Sequence, residues 1–241
     1  MAVKVFVDFD GTISTQDVGN AFFTTFGGES CADAIAAYKA EQLSAKDLFR
    51  REVAAIGLLN LQEAETFLRR QEIDRSFADF VAFCRSRGIE LRIVSDGLDY
   101  YITTILSHNH LDDVRFFANH LEVVPERDGR ARLAITFPFD DAECTRCACC
   151  KRNIIVSTSA DDDVIVYVGE GYSDRCPAQY ADIVFAKDAL QHFCQQKNIS
   201  YFLYASFADV QSRLDELLQR RKLKPRREAA MLRRQAFLSE S

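Results

Sequence analysis

Apolar and polar positions along this chain follow two alternating patterns. Short runs rich in β-branched and aromatic residues predict buried strands at residues 3–8, 89–97, 163–171, 182–187 and, less distinctly, 201–204. Helical spacing of apolar residues fills the stretches between them, namely 17–70, 76–88, 98–109, 150–158 and 188–197. Strands separated by helices predict an α/β fold with a doubly wound, Rossmann-like parallel sheet.

The segment between the first two predicted strands is too long for a simple crossover. Residues 17–70 show no strand signal, so we expect a small helical cap inserted after the first strand. The predicted boundaries are 1–15 and 75–205 for the core domain, 16–74 for the cap, and 206–241 for a C-terminal helical extension interrupted at Pro225.

Local signals add detail to this outline. Alternating residues on either side of Asp128-Gly129 predict a β-hairpin. Ser76 and Gly88 flank the 76–88 helix, and we expect the serine to cap its start and the glycine to end it.

Composition narrows the class of protein. Apolar residues make up 48% of the chain, but no run approaches the roughly 18 residues of a membrane-spanning helix. A net charge of −6 argues against a nucleic-acid partner. The N-terminus enters a strand directly, without a signal-peptide pattern, which predicts a cytoplasmic protein. Its eight cysteines are then expected to be reduced or metal-bound.

Three of the predicted strands end in acidic and hydroxyl side chains, the pairs Asp8/Asp10, Ser95/Asp96 and Glu170/Asp174. The carboxyl ends of parallel strands meet at one edge of a sheet, where ligands bind. Several carboxylates at one edge require a cation, and oxygen ligands completed by water and phosphate describe Mg²⁺. An aspartate beside that ion can attack phosphorus, and a second one two residues on can transfer protons.

Four motifs resemble those of the haloacid dehalogenase (HAD) superfamily of phosphotransferases. They are "DFDGT", "IVSDG", "CKRNII" and "VGEGYSD", and the resemblance covers residues 3–205. It implies Asp8 as the nucleophile and Asp10 as the general acid and base. It also implies that Ser95 and Lys151 hold the phosphoryl oxygens.

The same resemblance implies a magnesium site. Asp8, the backbone carbonyl of Asp10 and Glu170 would contact the ion, with Asp174 close by. Glu170 stands where the family usually has aspartate, and its longer side chain suggests that the larger Mn²⁺ also fits. The expected function is hydrolysis of a small phosphomonoester through a phospho-aspartate. The alternative, which Glu170 favours, is a weakened domain that binds a phosphorylated ligand without turnover.

The position of the cap resembles the phosphoserine-phosphatase-like branch of the superfamily. In that branch an acidic residue after the first motif reaches the substrate amine. Asp17 has this offset, although it is equally suited to cap the following helix. Glu52 stands where the phosphoserine enzymes are expected to carry an arginine, which argues against a substrate carboxylate.

Two further resemblances leave the phosphorylated metabolite open. The "GEGYSDRCP" segment and the cysteine-rich stretch are similar to phosphatases of phosphoethanolamine and phosphocholine. The same region, together with the "DFDGTIS" start, is similar to phosphatases of 2-hydroxy-3-keto-5-methylthiopentenyl-1-phosphate.

Two segments have no assigned role. "CTRCACC" contains Cys144, Cys147, Cys149 and Cys150, and its C-x₂-C spacing is half of a zinc signature. No second pair follows at the right spacing, so partly buried thiols are the default interpretation. The tail "RRKLKPRREAAMLRRQ" is strongly basic, and we expect a solvated helix that packs its Leu and Met side chains on the core rather than a binding site for an acidic partner.

Overall fold

A computed structural model describes residues 2–40, 42–142, 146–219 and 223–239. The strands are β1 (Val3–Val7), β2 (Leu58–Asn60), β3 (Glu90–Leu98), β4 (Phe116–Pro125), β5 (Arg130–Thr136), β6 (Val164–Gly169), β7 (Ile183–Ala186) and β8 (Phe202–Leu203). The helices are α1 (Val18–Gly27), α2 (Glu29–Lys39), α3 (Ala45–Ile56), α4 (Leu61–Leu68), α5 (Phe77–Ser86), α6 (Asp99–His108), α7 (Lys151–Ser157), α8 (Arg175–Tyr180), α9 (Asp188–Gln196), α10 (Phe207–Gln219) and α11 (Arg227–Ser239).

The described strands form one sheet in the order β2-β5-β4-β3-β1-β6-β7-β8. Strands β4, β3, β1, β6, β7 and β8 run parallel, which confirms the predicted α/β class. The predicted hairpin is also confirmed, because β5 returns antiparallel to β4. Strand β1 lies between β3 and β6, so the carboxyl ends of these three strands are neighbours.

Alternation along β1 divides the core between the two faces of the sheet. Val5 and Val7 join a cluster that includes residues of α5, α6 and α10. Phe6 points the other way, into a cluster that includes residues of α7, α8 and α9. Both faces are therefore covered, which explains why β1 and β6 are nearly continuous apolar runs.

Helices α1 to α4 form the helical insert that follows β1. Its interior is aromatic, since Phe22 and Phe26 of α1 both contact Phe67 of α4, and Phe23 packs on Phe49 of α3. Phe22 also meets Tyr100 of α6 at 6.2 Å between ring centroids, so one ring links the insert to the core.

Two local predictions are wrong. The insert is not wholly helical, because Leu58–Asn60 pair with β5 between the end of α3 and the Asn60 cap of α4. Three residues are too few to produce an alternating signal. Ser76 does not cap α5; its hydroxyl donates to Asp74 Oδ1 and accepts from the Ala208 backbone, which holds the start of α10 instead. Gly88 does follow the end of α5, with a φ of 65° that suits glycine.

The C-terminal helix α11 packs against α7 and α8, but not through the side chains expected. Met231 and Leu238 are exposed, whereas Ala229 and Arg233 are buried. Arg233 donates to the Tyr180 carbonyl and pairs with Asp182 at 3.1 Å. The fully buried Asp182 also accepts from the backbone of Ile165 in β6, so the basic tail is fixed to the core by a buried ion pair.

No helix among the described residues has the length and apolar character that crossing a bilayer would require.

Replacing Arg233 with alanine tests this attachment. The change removes the guanidinium that contacts the buried Asp182 carboxylate and leaves it the Arg226 charge and the backbone donors of Ile165 and Arg226, so we expect the free energy of unfolding to fall by about 2 kcal/mol. Urea unfolding measures it, with Arg234→Ala as the control, because that neighbouring arginine is exposed and its loss should cost no more than about 0.5 kcal/mol. Equal effects of the two substitutions would show that Arg233 does not hold the tail.

Candidate active site

Asp8 lies immediately after β1, where the strand leaves the sheet. Its backbone N–H donates to Val168 of β6 at 2.9 Å, which fixes the start of the loop. The side chain is only 5% exposed, and its Oδ1 accepts a 2.6 Å hydrogen bond from Lys151 Nζ. No described residue donates to Oδ2, so that oxygen of Asp8 is available for chemistry.

Lys151 begins α7 and is almost fully buried. Its ammonium donates to Asp8 Oδ1 at 2.6 Å, to Asp174 Oδ1 at 2.7 Å and to Ser173 Oγ at 2.9 Å. Burial lowers the pKa of Lys151, but the carboxylates of Asp174 and Asp8 outweigh that effect and hold the pKa above its usual range. Lys151 is therefore a fixed positive charge beside Asp8.

Asp174 organises this corner of the site from within the protein. Its Oδ1 accepts from Lys151 and from the Tyr167 hydroxyl, and its Oδ2 accepts from the backbone of Glu170 and Gly171. These four bonds orient Lys151 and the loop that carries Glu170. The metal contact expected for Asp174 stays a prediction.

Asp10 faces the N-terminus of α1. Its Oδ1 accepts from the backbone of Val18 at 2.9 Å and of Gly19 at 3.3 Å, and its Oδ2 accepts from Tyr101 at 2.7 Å. Burial first, and then the charge of Asp17, raise the pKa of Asp10 to about 7. A carboxyl group with that pKa can both give and take a proton near neutral pH.

Tyr101 is a site residue that the sequence analysis missed. It lies on the buried face of α6 with Ile102 and Ile105, and its position in that apolar stripe is typical of a core residue. The hydroxyl, however, is directed at Asp10. Gly97 provides the room, since a Cβ at that position would lie 1.6 Å from the Tyr101 oxygen.

Ser95 and Asp96 of the second motif have different surroundings. Ser95 is fully buried and accepts from the Gly97 backbone at 2.9 Å; it does not line the cavity that Asp8 and Asp10 border. Asp96, which the sequence analysis did not assign, accepts from the backbone of Ala148 and Cys149, both at 2.8 Å. It thereby fixes the segment that leads into Lys151. Burial raises the pKa of Asp96 to about 6.

The described residues of the cysteine-rich segment do not form a metal-binding cluster. Cys144 lies outside the described residues. Cys149 is buried, and burial raises the pKa of its thiol. No three described His, Cys, Asp or Glu side chains converge as a metal cluster.

The strand ends nevertheless fit a magnesium ion. Burial and the charge of Asp174 raise the pKa values of both Asp8 and Glu170, because acidic groups here outnumber Lys151. Neither Asp8 Oδ2 nor the Glu170 carboxylate accepts a hydrogen bond from the described residues. Two free carboxylates suit an ion that keeps several waters and completes its shell with substrate phosphate.

Glu170 is accommodated by a glycine on the neighbouring loop. Gly11 has a φ of 68°, and a Cβ added there would lie 2.8 Å from Glu170 Oε1. The longer acid therefore occupies space that any larger residue at position 11 would take.

A cavity of about 290 Å³ joins the strand ends to the helical insert. Asp8, Asp10 and Glu170 line one part of it, and Asp17 and Glu52 line the part made by the insert. Asp17 is at once a cavity residue and a helix cap, since its Oδ1 accepts from the Asn20 backbone at 2.8 Å. The two interpretations of Asp17 are thus compatible.

Glu52 is 3% exposed although it is charged in its ordinary state. Burial first, and then the charge of Asp17, raise its pKa to about 8. Its carboxyl group has no hydrogen bond or ion pair with a described residue.

Solved structures share this architecture. A probable phosphoserine phosphatase from Vibrio cholerae matches with a TM-score of 0.69 and 17% identity, over 98% of this chain and 67% of that one. A phospho-aspartyl intermediate analogue of phosphoserine phosphatase matches with a TM-score of 0.64 and 16% identity, over 88% of this chain and 98% of that one. The shared fold, the four motifs and the sequence relatives given next place this chain in a class of protein, the HAD-type phosphatases.

Sequence comparison identifies the family within that class. This chain belongs to the family described as Putative Phosphatase, whose model matches residues 3–201. A 2-hydroxy-3-keto-5-methylthiopentenyl-1-phosphate phosphatase from Geobacillus kaustophilus is 32% identical over 86% of this chain and 92% of its own length. The phosphatase of the same name from Exiguobacterium sibiricum is 29% identical over 87% of this chain and 95% of its own length.

Gly97→Ala tests the contact between Tyr101 and Asp10. The added methyl group would lie 1.6 Å from the Tyr101 hydroxyl and 2.7 Å from Asp10 Oδ2 and must separate the two, so we expect kcat for p-nitrophenyl phosphate to fall by about 10²-fold. Gly171→Ala is the control, because its Cβ would meet Asp174 at an ordinary 3.8 Å. Equal rates for the two variants would contradict the role of Tyr101.

Glu52→Gln tests the burial of Glu52 through the pH dependence of stability. The pKa is about 8 in the folded chain against a usual 4.5, so the folded state binds more protons between these values and loses stability as pH rises. Glutamine has no such loss. Urea unfolding should show the variant gaining on the native chain by about 2–4 kcal/mol from pH 5 to pH 8. A difference that does not vary with pH would show that Glu52 is solvated or paired.

Proposed function

We propose that this chain hydrolyses a small phosphomonoester through a phospho-aspartate formed on Asp8, with Mg²⁺ as its cofactor. The observation that carries the proposal is the pairing of Asp8 with Lys151 beside a carboxyl group, Asp10, whose pKa is about 7. The relatives support the substrate class, because the enzymes from Geobacillus kaustophilus and Exiguobacterium sibiricum are named for a phosphomonoester.

In the first half of the proposed reaction, Asp8 Oδ2 attacks phosphorus while Oδ1 remains bonded to Lys151. The bond from phosphorus to the ester oxygen breaks, and Asp10 gives its proton to that leaving oxygen. Burial favours this step, because the high pKa of Asp10 keeps it protonated when the substrate arrives.

In the second half, Asp10 is ionised and takes a proton from water. The resulting hydroxide attacks phosphorus, and the bond to Asp8 breaks to release phosphate. Asp10 is thus returned to its protonated form. Tyr101 and the two backbone donors of α1 keep its carboxyl group directed at the reacting atoms through both steps.

Charge on the phosphoryl oxygens is offset by residues already in place. Lys151 supplies a fixed positive charge, and the Ser95 hydroxyl has a proton that no described residue accepts. Asp8, the carbonyl of Asp10 and Glu170 would hold Mg²⁺, with Mn²⁺ as a substitute. When bound, the ion supplies further positive charge near these oxygens. Asp174 would lie close to the ion, and it also orients Lys151 and the Glu170 loop.

Asp8→Asn is the decisive variant, because an amide does not attack phosphorus. We expect turnover of p-nitrophenyl phosphate with Mg²⁺ to fall by at least about 10³-fold at an unchanged melting temperature. Mass spectrometry of acid-quenched native protein should show one phosphoryl group on the peptide that contains Asp8. The exposed Asp33 of α2 provides the matched control, Asp33→Asn.

Two results would contradict the proposal. One is phosphatase activity that survives in Asp8→Asn. The other is a native chain that binds phosphate but turns over no phosphomonoester, which would favour the interpretation of a ligand-binding domain.

A further inference from the structure

The C-terminal part of the chain carries a concentration of positive charge that the proposed reaction does not use. Eight of the 30 Lys and Arg residues lie in the segment 220–234, which contains one acid, Glu228, whereas the whole chain has a net charge of −6. The rest of the chain is therefore strongly acidic. Such a separation of charge favours a negatively charged partner for the basic segment.

Two arginine doublets in this segment are spaced by two helical turns. Arg226-Arg227 and Arg233-Arg234 lie seven residues apart, close to the roughly 7.2 residues of two turns. The first arginine of each doublet faces the core, because Arg226 donates to two carbonyls in the last turn of α8 and Arg233 pairs with the buried Asp182 at 3.1 Å. These contacts fix one side of α11 to the core, so the second arginine of each doublet is turned outward.

The outward side of α11 combines positive charge with large apolar side chains. Arg227, Met231, Arg234 and Leu238 follow at intervals of four, three and four residues, so they form one stripe along the helix, which we call the outer stripe. All four are exposed. Neither arginine of the stripe forms an ion pair within the described part of the chain. Both charges are therefore available to a partner.

The apolar side chains of this helix are more exposed than the sequence pattern predicts. Among the described residues, eight large apolar side chains are exposed, and three of them lie on the 13 residues of α11, namely Met231, Phe237 and Leu238. Their exposed fractions are 54%, 61% and 65%, respectively. Cations and large apolar side chains on one exposed helix are typical of helices that lie in a membrane interface.

A lipid surface provides a partner for both kinds of side chain. Headgroup phosphates of anionic lipids attract arginine, and the acyl chains beneath them accept Met231 and Leu238. A nucleic-acid backbone would pair with the arginines but would leave those two apolar side chains in water. A second copy of this chain, placed on the same stripe by two-fold symmetry, would bring the arginines of the two copies together.

The attachment of α11 lies at the end of the sheet away from the candidate active site. Asp182, the partner of Arg233, accepts from the backbone of Ile165 at the start of β6, whereas Glu170 follows the end of the same strand. The strand between them is about 17 Å long. Contact between α11 and a surface therefore requires no residue of the cavity.

We propose that the outer stripe of α11 binds the surface of an anionic phospholipid membrane. The helix lies on the membrane, with Arg227 and Arg234 at the headgroup phosphates and with Met231 and Leu238 at the boundary of the acyl chains. The acidic remainder of the chain is repelled by the same surface, so the α11 side faces the membrane. This binding involves no residue of the proposed reaction and does not depend on it.

Sedimentation with lipid vesicles tests the binding. The native chain should sediment with vesicles of phosphatidylcholine that contain about 30 mol% phosphatidylserine, and much less with pure phosphatidylcholine. Arg227→Gln combined with Arg234→Gln should lower the partition coefficient by at least about tenfold, because each cation near such a surface contributes roughly fivefold. The matched control is Arg70→Gln combined with Lys197→Gln, since both cations are exposed and form no ion pair with a described residue.

Fluorescence shows whether the stripe itself enters the membrane. The chain contains no tryptophan, so Met231→Trp introduces a single reporter. Its emission should shift to shorter wavelength with the anionic vesicles, and lipids brominated on the acyl chain should quench it. Leu58→Trp is the control and should show neither effect, because Leu58 has a similar exposure, 49%, and lies on the edge strand β2. An unchanged melting temperature confirms that each variant is folded.

Equal sedimentation with anionic and neutral vesicles would overturn this inference, as would a loss of binding that the control pair shows to the same extent. A tryptophan at position 231 whose emission stays that of water while the chain sediments would show that another surface binds. Retention of single-stranded RNA without vesicle binding would also overturn it and favour a nucleic-acid partner. A dimer that the double arginine variant strengthens, again without vesicle binding, would assign the stripe to a second copy.

Discussion

The buried ammonium group of Lys151 donates its three hydrogen bonds to Asp8, Asp174 and Ser173. The position is an unfavourable one for a cation, because Lys151 is the first residue of a helix, where the macrodipole is positive. Two carboxylates therefore have to offset both burial and the dipole. This set of bonds joins α7, the end of β1 and the loop after β6 at one point, and it sets the direction of the Asp8 carboxylate.

The remaining charges follow from that constraint. Lys151 is one positive charge among the carboxylates of Asp8, Asp10, Glu170 and Asp174, so negative charge is in excess here. Burial raises the pKa values of Asp8, Asp10 and Glu170. Burial and neighbouring acids also raise the pKa of Asp10 to about 7. The proposed metal site and the proposed proton transfer by Asp10 thus depend on one physical cause, the concentration of acids in a buried cleft.

The helical insert forms the part of the cavity that lies opposite the sheet. Its helices bury aromatic rings against each other, and they bring Asp17 and Glu52 to the side of the cavity opposite the sheet. In the proposed reaction the phosphoryl group lies at the strand ends, and the insert lines the other part of the same cavity.

The sequence by itself determined the parallel strands and predicted the chemistry near their carboxyl ends. Buried apolar runs lead to Asp8, Ser95 and Glu170 on three neighbouring strands, because parallel strands that are connected by helices must have their carboxyl ends at one edge. Only the tertiary structure decided which hydrogen-bond partners the site residues have. Tyr101 has the pattern of a core residue, and its hydroxyl direction depends on the space left by Gly97, which no periodicity records. Asp174 accepts from donors close to it in sequence, but its bond to Lys151, 23 residues earlier in the chain, forms only in the folded chain. Periodicity reports which side of an element is buried, whereas hydrogen bonds between distant segments depend on distances that exist only after folding.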